Sequence, residues 1–241
     1  MSPVSSPHTG GSAGNRVGAI VVAAGQSRRM DGPDKLFLPL LGRPLLSYTL
    51  DALQRVDLVQ EVVLVLSQSN LDRGKALVAE REFHKVISVC LGGPRRQDSV
   101  RLGLQALSPC DWVVVHDGAR PCVQPELVER GLEEAQRWGS AVAAVPVHDT
   151  LKSADSEGRV MTTVDREGLW TAQTPQIFPW ETLREAHIQV DAMATDDAAL
   201  VEWLGRPVHL YPGFHADIKV TTHDDLRMAE AVLRHRGETP V

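Results

Sequence analysis

The chain has 241 residues, of which 43% are hydrophobic and 23% are charged, and its formal net charge is −6 at pH 7. These values are ordinary for a globular protein of one or two domains, and they exclude a disordered, collagen-like or coiled-coil chain. A net negative charge also argues against a protein whose partner is nucleic acid.

Residues 1–16 are rich in serine, glycine and proline, which predicts a disordered leader and places the start of the folded part near Val17. The longest apolar run, Val17 to Ala24, has eight residues. A membrane-spanning helix needs roughly 20, so no membrane partner is expected. The three cysteines form no CxxC pair, which favours neither a zinc site nor a disulfide framework. A cytoplasmic location fits this cysteine usage best.

Short β-branched runs alternate with helical patterns along the first 150 residues, which is typical of parallel strands joined by crossover helices. The runs VVLVL and WVVVH are almost continuously apolar and therefore indicate a sheet that is buried on both faces. The predicted strands are Val17 to Ala24, Glu61 to Ser67, Lys85 to Val89, Trp112 to His116 and Ser140 to Val147. The predicted helices are Pro44 to Val56, Leu71 to Arg81, Gln97 to Leu107 and Pro125 to Trp138. The pattern predicts an α/β fold with three layers: a Rossmann-like, mostly parallel sheet with helices on both faces.

After Val147 the pattern predicts a β-hairpin with strands Thr150 to Ser153 and Val160 to Val164 around a polar turn. A two-stranded ribbon is marginally stable in water, so this arm, residues 148–166, is expected to pack against a second copy of the chain. Three further helices are predicted near Pro179 to Gln189, Asp196 to Leu204 and Asp224 to Arg234. We expect residues 17–235 to form a single domain, followed by a tail at 236–241.

Ligands of open α/β sheets bind beyond the carboxyl ends of the strands, so the loop after each strand is a candidate site. The loop after AIVVAA contains Gly25, Arg28 and Arg29, and Lys35 follows shortly afterwards. Glycine lets backbone amides approach a phosphate closely, and the three cations add positive charge. The alternative is a solvated basic turn.

Asp117 comes directly after the buried run WVVVH. A carboxylate at the end of a strand can hold Mg²⁺, which completes its coordination with phosphate oxygens and water. The alternatives are a helix N-cap or a salt bridge with Arg120 in the same loop. His116 points to the opposite face of the strand and is better interpreted as a core histidine than as a catalytic one.

Three weaker clusters remain. The segment Gly92–Ser99 joins a strand to a helix and could cap that helix through Asp98 or Ser99, or contact a nucleotide. Arg166 follows the hairpin and offers one cation. Lys219 lies in IKVT, which predicts a short strand. If it points inward it needs an anionic partner, and the alternative is an ordinary surface lysine.

Together these segments resemble the 2-C-methyl-D-erythritol 4-phosphate cytidylyltransferases of the non-mevalonate isoprenoid pathway. The resemblance extends from Val17 to about Leu233 and rests on eight motifs in the family's order: AAGQSRRM, Pro33-Asp34-Lys35, GGPRRQDSV, VHDGARP, PVHDTLK, TVDREGLWTAQTPQ, ATDD and IKVT. It implies a homodimeric enzyme that transfers CMP from CTP to 2-C-methyl-D-erythritol 4-phosphate and releases pyrophosphate. The implied cofactor is Mg²⁺ or another divalent cation.

The resemblance also implies roles for individual residues. The catalytic residues would be Arg29, Lys35, Arg166 and Lys219, and the metal ligand would be Asp117. The nucleotide would be bound by Ala23, Ala24, Gly25, Gly93, Ser99 and Gly118. The sugar phosphate would be surrounded by Arg120, Thr150, Thr174 and Thr195, with Thr150 and Arg166 supplied to the partner's site by the arm. The sequence departs from the family at four positions. Pro94 stands where an acidic residue is common, Gly118 where alanine is frequent, Asp217 where asparagine is frequent and His223 where proline is frequent.

The implied reaction requires no general base, because a phosphate monoester is largely dianionic at pH 7. Positioning and positive charge would supply the catalysis. Competing hypotheses are a ribitol-phosphate cytidylyltransferase, a sugar-1-phosphate uridylyltransferase and a nucleotide-sensing module without turnover. A nicotinamide-dependent oxidoreductase is disfavoured, since the first loop has one glycine where that fingerprint has three.

Overall fold

The computed structural model describes residues 15–25, 35–190 and 192–239. Most of the predicted leader, the end of the predicted tail and the segment 26–34 lie outside the described residues. The predictions for Arg28 and Arg29 therefore also fall outside them.

The described strands and helices follow the predicted order closely. The strands are β1 (Val17–Ala23), β2 (Pro39–Leu40), β3 (Arg43–Pro44), β4 (Val59–Leu66), β5 (Val86–Leu91), β6 (Trp112–Asp117), β7 (Ala141–Pro146), β8 (Leu151–Ala154), β9 (Val160–Val164), β10 (Trp170–Pro179) and β11 (His209–Pro212). The α-helices are α1 (Leu45–Arg55), α2 (Leu71–Glu80), α3 (Arg96–Ala106), α4 (Pro125–Trp138), α5 (Trp180–Gln189), α6 (Asp197–Trp203) and α7 (His223–His235). Two short 3-10 helices cover Lys35–Phe37 and Gln68–Asn70.

The main sheet of the described residues has seven strands in the order β11-β7-β10-β6-β1-β4-β5. All of its strands are parallel to one another except β10, which runs antiparallel between β6 and β7. The small pairs β2-β3 and β8-β9 form separate two-stranded sheets. The predicted mostly parallel sheet is confirmed.

Apolar side chains cover both faces of the sheet, because successive residues of a strand point to opposite sides. In β1, Ala19 and Val21 belong to one core cluster, which also contains residues of α1, α2, α4 and α7. Ile20 belongs to the other, which contains residues of α3, α5 and α6. The two clusters give the predicted three layers.

Helix α4 shows how local sequence sets an element. Proline stands in its first turn, where its missing N–H costs nothing, and Gly139 ends the helix with φ +93°. The buried residues Leu127, Val128, Leu132 and Ala135 recur at helical spacing on the face that meets the sheet.

The C-terminal half differs from the prediction in two respects. Strands β10 and β11 were not predicted, although β10 is the longest strand described. The prediction that IKVT forms a short strand was wrong: residues 218–221 have no regular secondary structure. In that segment, the N–H of Val220 donates a hydrogen bond of 2.8 Å to the carbonyl of Ala119 in the loop after β6.

The predicted hairpin is present as β8 and β9. Its turn is stabilised by Asp155, whose Oδ1 accepts hydrogen bonds from the N–H groups of Glu157 and Arg159. Gly158 supplies the positive φ of +82° that the turn requires. Every residue of β9 is exposed. Among the described helices, none has the length and apolar character needed to cross a membrane.

The order of the strands positions one crevice. From β1 the chain continues to β4 and β5 on one side and then returns to form β6 on the other side of β1. The loops after β1 and β6 therefore diverge, and ligands of open α/β sheets bind in such a crevice. Val22 of β1 is in register with Asp117 of β6, so both strands end at the same level.

Candidate active site

A cavity of about 590 Å³ opens at the carboxyl ends of β1 and β6. Most of its lining comes from four segments: the end of β1, the loop before α3 with the first turn of that helix, the end of β6, and the IKVT segment. The lining residues are Val22, Ala23, Ala24, Gly25, Lys35, Leu36, Gly93, Pro94, Arg95, Arg96, Ser99, Asp117, Ala119 and Lys219. The volume is within the range of small-molecule sites.

Asp117 lies in this cavity among three cationic side chains. Its Oδ2 is 2.7 Å from Lys219 Nζ and 3.9 Å from Arg120 Nε, and its Oδ1 is 3.3 Å from Arg96 Nε. Burial alone would raise the pKa of this carboxyl, but Arg96 and Lys219 outweigh it and hold the pKa well below its ordinary value. Asp117 is therefore ionised at neutral pH. The alternative of an N-cap does not apply, whereas the ion pair with Arg120 is present at long range.

Lys219 has the anionic partner that an inward lysine needs, although its side chain remains 42% exposed. Arg120 is buried, and its Nη1 donates a 2.5 Å hydrogen bond to the backbone carbonyl of Asp217. Lys35 also lines the cavity, and its Nζ donates a 2.8 Å hydrogen bond to the carbonyl of Val220. The IKVT segment thus links two of the predicted phosphate-binding cations.

Arg96 connects Asp117 to a second buried acid. Its Nη1 is 2.5 Å from Oδ2 of Asp197, which has no solvent exposure. Oδ1 of Asp197 lies 3.0 Å from Nε2 of His187. Burial lowers the pKa of Arg96 and raises that of Asp197, but the ion pair outweighs both effects and keeps both groups charged.

The loop before α3 is fixed by its own polar side chains. Asp98 accepts hydrogen bonds from the backbone N–H of Arg95 and from its guanidinium, and Ser99 Oγ accepts from the N–H of Gly93. A Cβ on Gly93 would lie 2.4 Å from the Cβ of Asp98, so this position needs glycine. The helix-capping interpretation is correct for Asp98, and Gly93 and Ser99 also line the cavity.

Thr174 holds the backbone of Asp117 in place. Its hydroxyl accepts a 3.1 Å hydrogen bond from the N–H of Asp117 and lies 2.9 Å from Nδ1 of His116. His116 has no solvent exposure, and burial lowers its pKa to about 3, so the ring is neutral. It is the core histidine that the sequence indicated. Gly118 packs closely against Ala23 and Leu46. A Cβ at this position would lie 3.0 Å from a side-chain carbon of each, which is a tight contact.

Three predicted residues lie away from the cavity. Thr150 and Arg166 are exposed on the arm, and Thr195 is exposed just before α6. None of the three lines the cavity, and neither do Gly118, Arg120 and Thr174, which lie beside Asp117.

The family model for 2-C-methyl-D-erythritol 4-phosphate cytidylyltransferase matches residues 17–235. This chain belongs to that family. It is therefore a nucleotidyltransferase that moves CMP from CTP to 2-C-methyl-D-erythritol 4-phosphate, as the resemblance of its motifs implied.

Individual members of the family agree with this result. The cytidylyltransferase of Dehalococcoides mccartyi strain CBDB1 is 49% identical over 219 residues, which cover 91% of this chain and 96% of that protein. The crystal structure of the Thermus thermophilus enzyme is 39% identical, covers 90% of this chain and 98% of its own, and has a TM-score of 0.76. The Anaerococcus prevotii synthase is 29% identical, covers 91% and 99%, and has a TM-score of 0.79.

The donor set of the cavity fits a magnesium ion that is also held by substrate phosphates. Within the described ranges, no three His, Cys, Asp or Glu side chains converge to hold a metal ion by themselves. Mg²⁺ is commonly held by one or two carboxylates together with substrate phosphates, and Asp117 is an ionised carboxylate beside the cavity.

Arg96 and Asp197 were not assigned roles from the sequence. One signal was available: Arg96 is the first residue of α3. A cation there opposes the helix dipole, and a nearby anion would offset this unfavourable interaction. Its identity was not accessible, because Asp197 is 101 residues away in the chain.

Proposed function

We propose that CMP transfer takes place in the cavity at the ends of β1 and β6. The observation that carries this proposal is the meeting of Asp117, Lys219 and Arg96 at the crevice between diverging loops, in a cavity that Lys35 also lines. Although the chain has a net charge of −6, Lys35, Arg96 and Lys219 lie together at the cavity, where the two anionic substrates would meet.

The nucleotide side of the cavity is the face formed by β1 and the loop before α3. We assign Ala23, Ala24 and Gly25 to backbone contacts with the CTP phosphates, together with Lys35 and Arg29. Gly93 and Ser99 face the cytosine, and Gly118 lies near the nucleotide. The lack of a side chain on Gly25, where a Cβ would meet nothing within 4 Å, leaves the backbone amides open to a phosphate.

Asp117 is the side chain that would hold a divalent cation in contact with the triphosphate. When bound, such a cation would neutralise charge on the triphosphate and on the departing pyrophosphate. Lys35 and Arg29 would stabilise the same developing charge from the protein side.

The sugar phosphate enters opposite the nucleotide, where its phosphate oxygen attacks the α-phosphorus of CTP in line with the leaving pyrophosphate. The phosphate is already dianionic, so Lys219 and Arg166 orient it and no residue removes a proton. Arg120, Thr150, Thr174 and Thr195 complete its surroundings. The buried, neutral His116 is not available as a base.

The exposed apolar surface of the arm supports a homodimer. Val160 is 60% exposed and Met161 is 69% exposed, on a strand without buried residues. A partner that covers these side chains would bring Thr150 and Arg166 of one chain to the cavity of the other. The three free thiols support a cytoplasmic location.

The test is incubation of the full chain with CTP, Mg²⁺ and a panel of phosphates, followed by mass analysis of the products. We expect cytidylyl transfer to 2-C-methyl-D-erythritol 4-phosphate, with little product from ribitol 5-phosphate or from a sugar 1-phosphate with UTP. Lys219→Met should abolish most of the transfer, whereas Lys75→Met on exposed α2 should not. Faster reaction of another phosphate, or equal activities of the two variants, would refute the assignment.

A further inference from the structure

Asp197 is held in place from several directions, although it lies outside the cavity lining. Its Oδ2 is 2.5 Å from Arg96 Nη1, and its Oδ1 is 3.0 Å from Nε2 of His187. Its backbone N–H donates a 3.2 Å hydrogen bond to Oε1 of Gln176 on β10. A fully buried carboxylate with these contacts cannot follow a moving partner.

The guanidinium of Arg96 is shared unequally between two carboxylates. Its contact with Asp197 is 2.5 Å and fully buried on the acid side, whereas its contact with Asp117 is 3.3 Å and made by Nε alone. Charge-assisted hydrogen bonds weaken as they lengthen. The contact with Asp117 is therefore the weaker of the two.

Removal of the Asp197 charge would redirect Arg96. The guanidinium would keep its five donors and would have Asp117 as its nearest remaining carboxylate. Arginine and a carboxylate then prefer a bidentate pair, which occupies both carboxylate oxygens.

We propose that Asp197 is a positioning residue that holds Arg96 back from Asp117 and so keeps a carboxylate oxygen of Asp117 available to the divalent cation that accompanies CTP. The proposal rests on the proposed function, in which Asp117 is the ligand of that cation. Asp197 itself touches neither substrate nor metal.

The test variant is Asp197→Asn, which keeps the shape of the side chain and an oxygen that can accept from His187. CTP binding to the full chain is measured by calorimetry over a series of Mg²⁺ concentrations, without the second substrate. Loss of a residue that supports a metal ligand typically costs roughly tenfold to a hundredfold in metal affinity. We expect the Mg²⁺ concentration for half-maximal CTP binding to rise by at least about tenfold, with near-normal binding at high Mg²⁺.

A second variant separates positioning from general damage. In Arg96→Gln/Asp197→Asn the Arg96 guanidinium no longer competes for Asp117, while the longer contact of Arg120 with Asp117 is unchanged, so the Mg²⁺ requirement should return toward that of the unchanged protein. An unchanged requirement in Asp197→Asn, or a double variant as impaired as the single one, would overturn the proposal. If Asp117→Asn binds CTP with the normal Mg²⁺ dependence, the metal assignment fails and this proposal fails with it.

A measurement on the unchanged protein covers the case in which Asp197→Asn does not fold. The arginine side-chain NMR signals of Arg96 should show hindered rotation of the guanidinium both before and after addition of Mg²⁺ and CTP. Free rotation in either state would contradict a guanidinium fixed by Asp197.

Discussion

The buried Asp217 gives a prediction that follows from a single carboxyl group. Asp217 has no solvent exposure, and within the described part of the chain neither of its carboxyl oxygens has a hydrogen-bond partner. Burial raises its pKa from 3.8 to about 7, although Arg120 and Arg236 act in the opposite direction. Asp217→Asn removes the ionisable group and keeps the shape.

The sign of the effect follows from proton binding. Between pH 4 and pH 7 the unfolded chain has lost the proton of this carboxyl and the folded chain retains it. The free energy of unfolding therefore falls as the pH rises through this window, and it is level below and above it. Each pH unit in the window is worth roughly 1.4 kcal/mol, so from pH 5 to pH 8 the natural protein should lose about 3 kcal/mol relative to Asp217→Asn.

Urea unfolding at pH 5 and pH 8, at one protein concentration, measures this difference. Every other titrating group is common to both proteins and cancels. Asp57→Asn, at an exposed turn residue after α1, is the matched control and should differ from the natural protein equally at both pH values. A stability gain of Asp217→Asn that does not grow between pH 5 and pH 8 would refute the reasoning.

Three further predictions concern the reaction. Lys35→Ala should lower kcat about a hundredfold or more, because a pre-aimed donor is worth about 3 to 4 kcal/mol at the transition state; steady-state kinetics with less than a threefold loss would count against its role. Arg166→Lys keeps the charge and loses the bidentate fork, so it should raise KM for the sugar phosphate more than KM for CTP; equal changes would contradict the assignment. Met161→Asp should shift the protein toward monomers in sedimentation experiments, whereas Met193→Asp, at a position that is 79% exposed outside the arm, should not.

The parallel part of the fold was predictable from the sequence, because its strands carry their own signal. The run VVLVL lies in β4 and is buried without exception, as expected for a strand covered on both faces. The sheet extends from β1 to β4 and β5 on one side and to β6 on the other, so β6 ends at the crevice. Asp117, the last residue of β6, could be proposed for the candidate site because the end of this apolar run is visible in the sequence.

Strand β10 could not be predicted from its sequence, WTAQTPQIFP. Apolar and polar residues do not alternate in it, and it contains two prolines, which are unusual within strands. Tertiary contacts decide its conformation: it fills the space between β6 and β7, and its register shifts between Ala172 and Gln176. The strand prediction for the IKVT segment was wrong for the opposite reason: the local sequence favours a strand, but the tertiary contacts do not form one. Its β-branched residues favour a strand, but among the described residues only the N–H of Val220 has a backbone partner, the carbonyl of Ala119.

In the candidate site, single residues at the ends of strands could be proposed from the sequence, whereas pairs of residues far apart in the chain could not. Lys219 and Asp117 could be named singly, but their contact joins residues about a hundred positions apart. The pair of Arg96 with Asp197 has the same character. Such pairs emerge only when the sheet brings the ends of its strands together.

The antiparallel direction of β10 makes the chain leave and re-enter the sheet, through the arm, at the edge where β6 ends. Within the described residues, the arm's strands pair only with each other, and neither strand contains a buried side chain. Order in the arm must therefore be supplied by whatever covers it. If a second copy of the chain covers the arm, dilution of the protein would dissociate the dimer and weaken binding of the sugar phosphate before it weakened binding of CTP. The specific activity would then depend on the protein concentration.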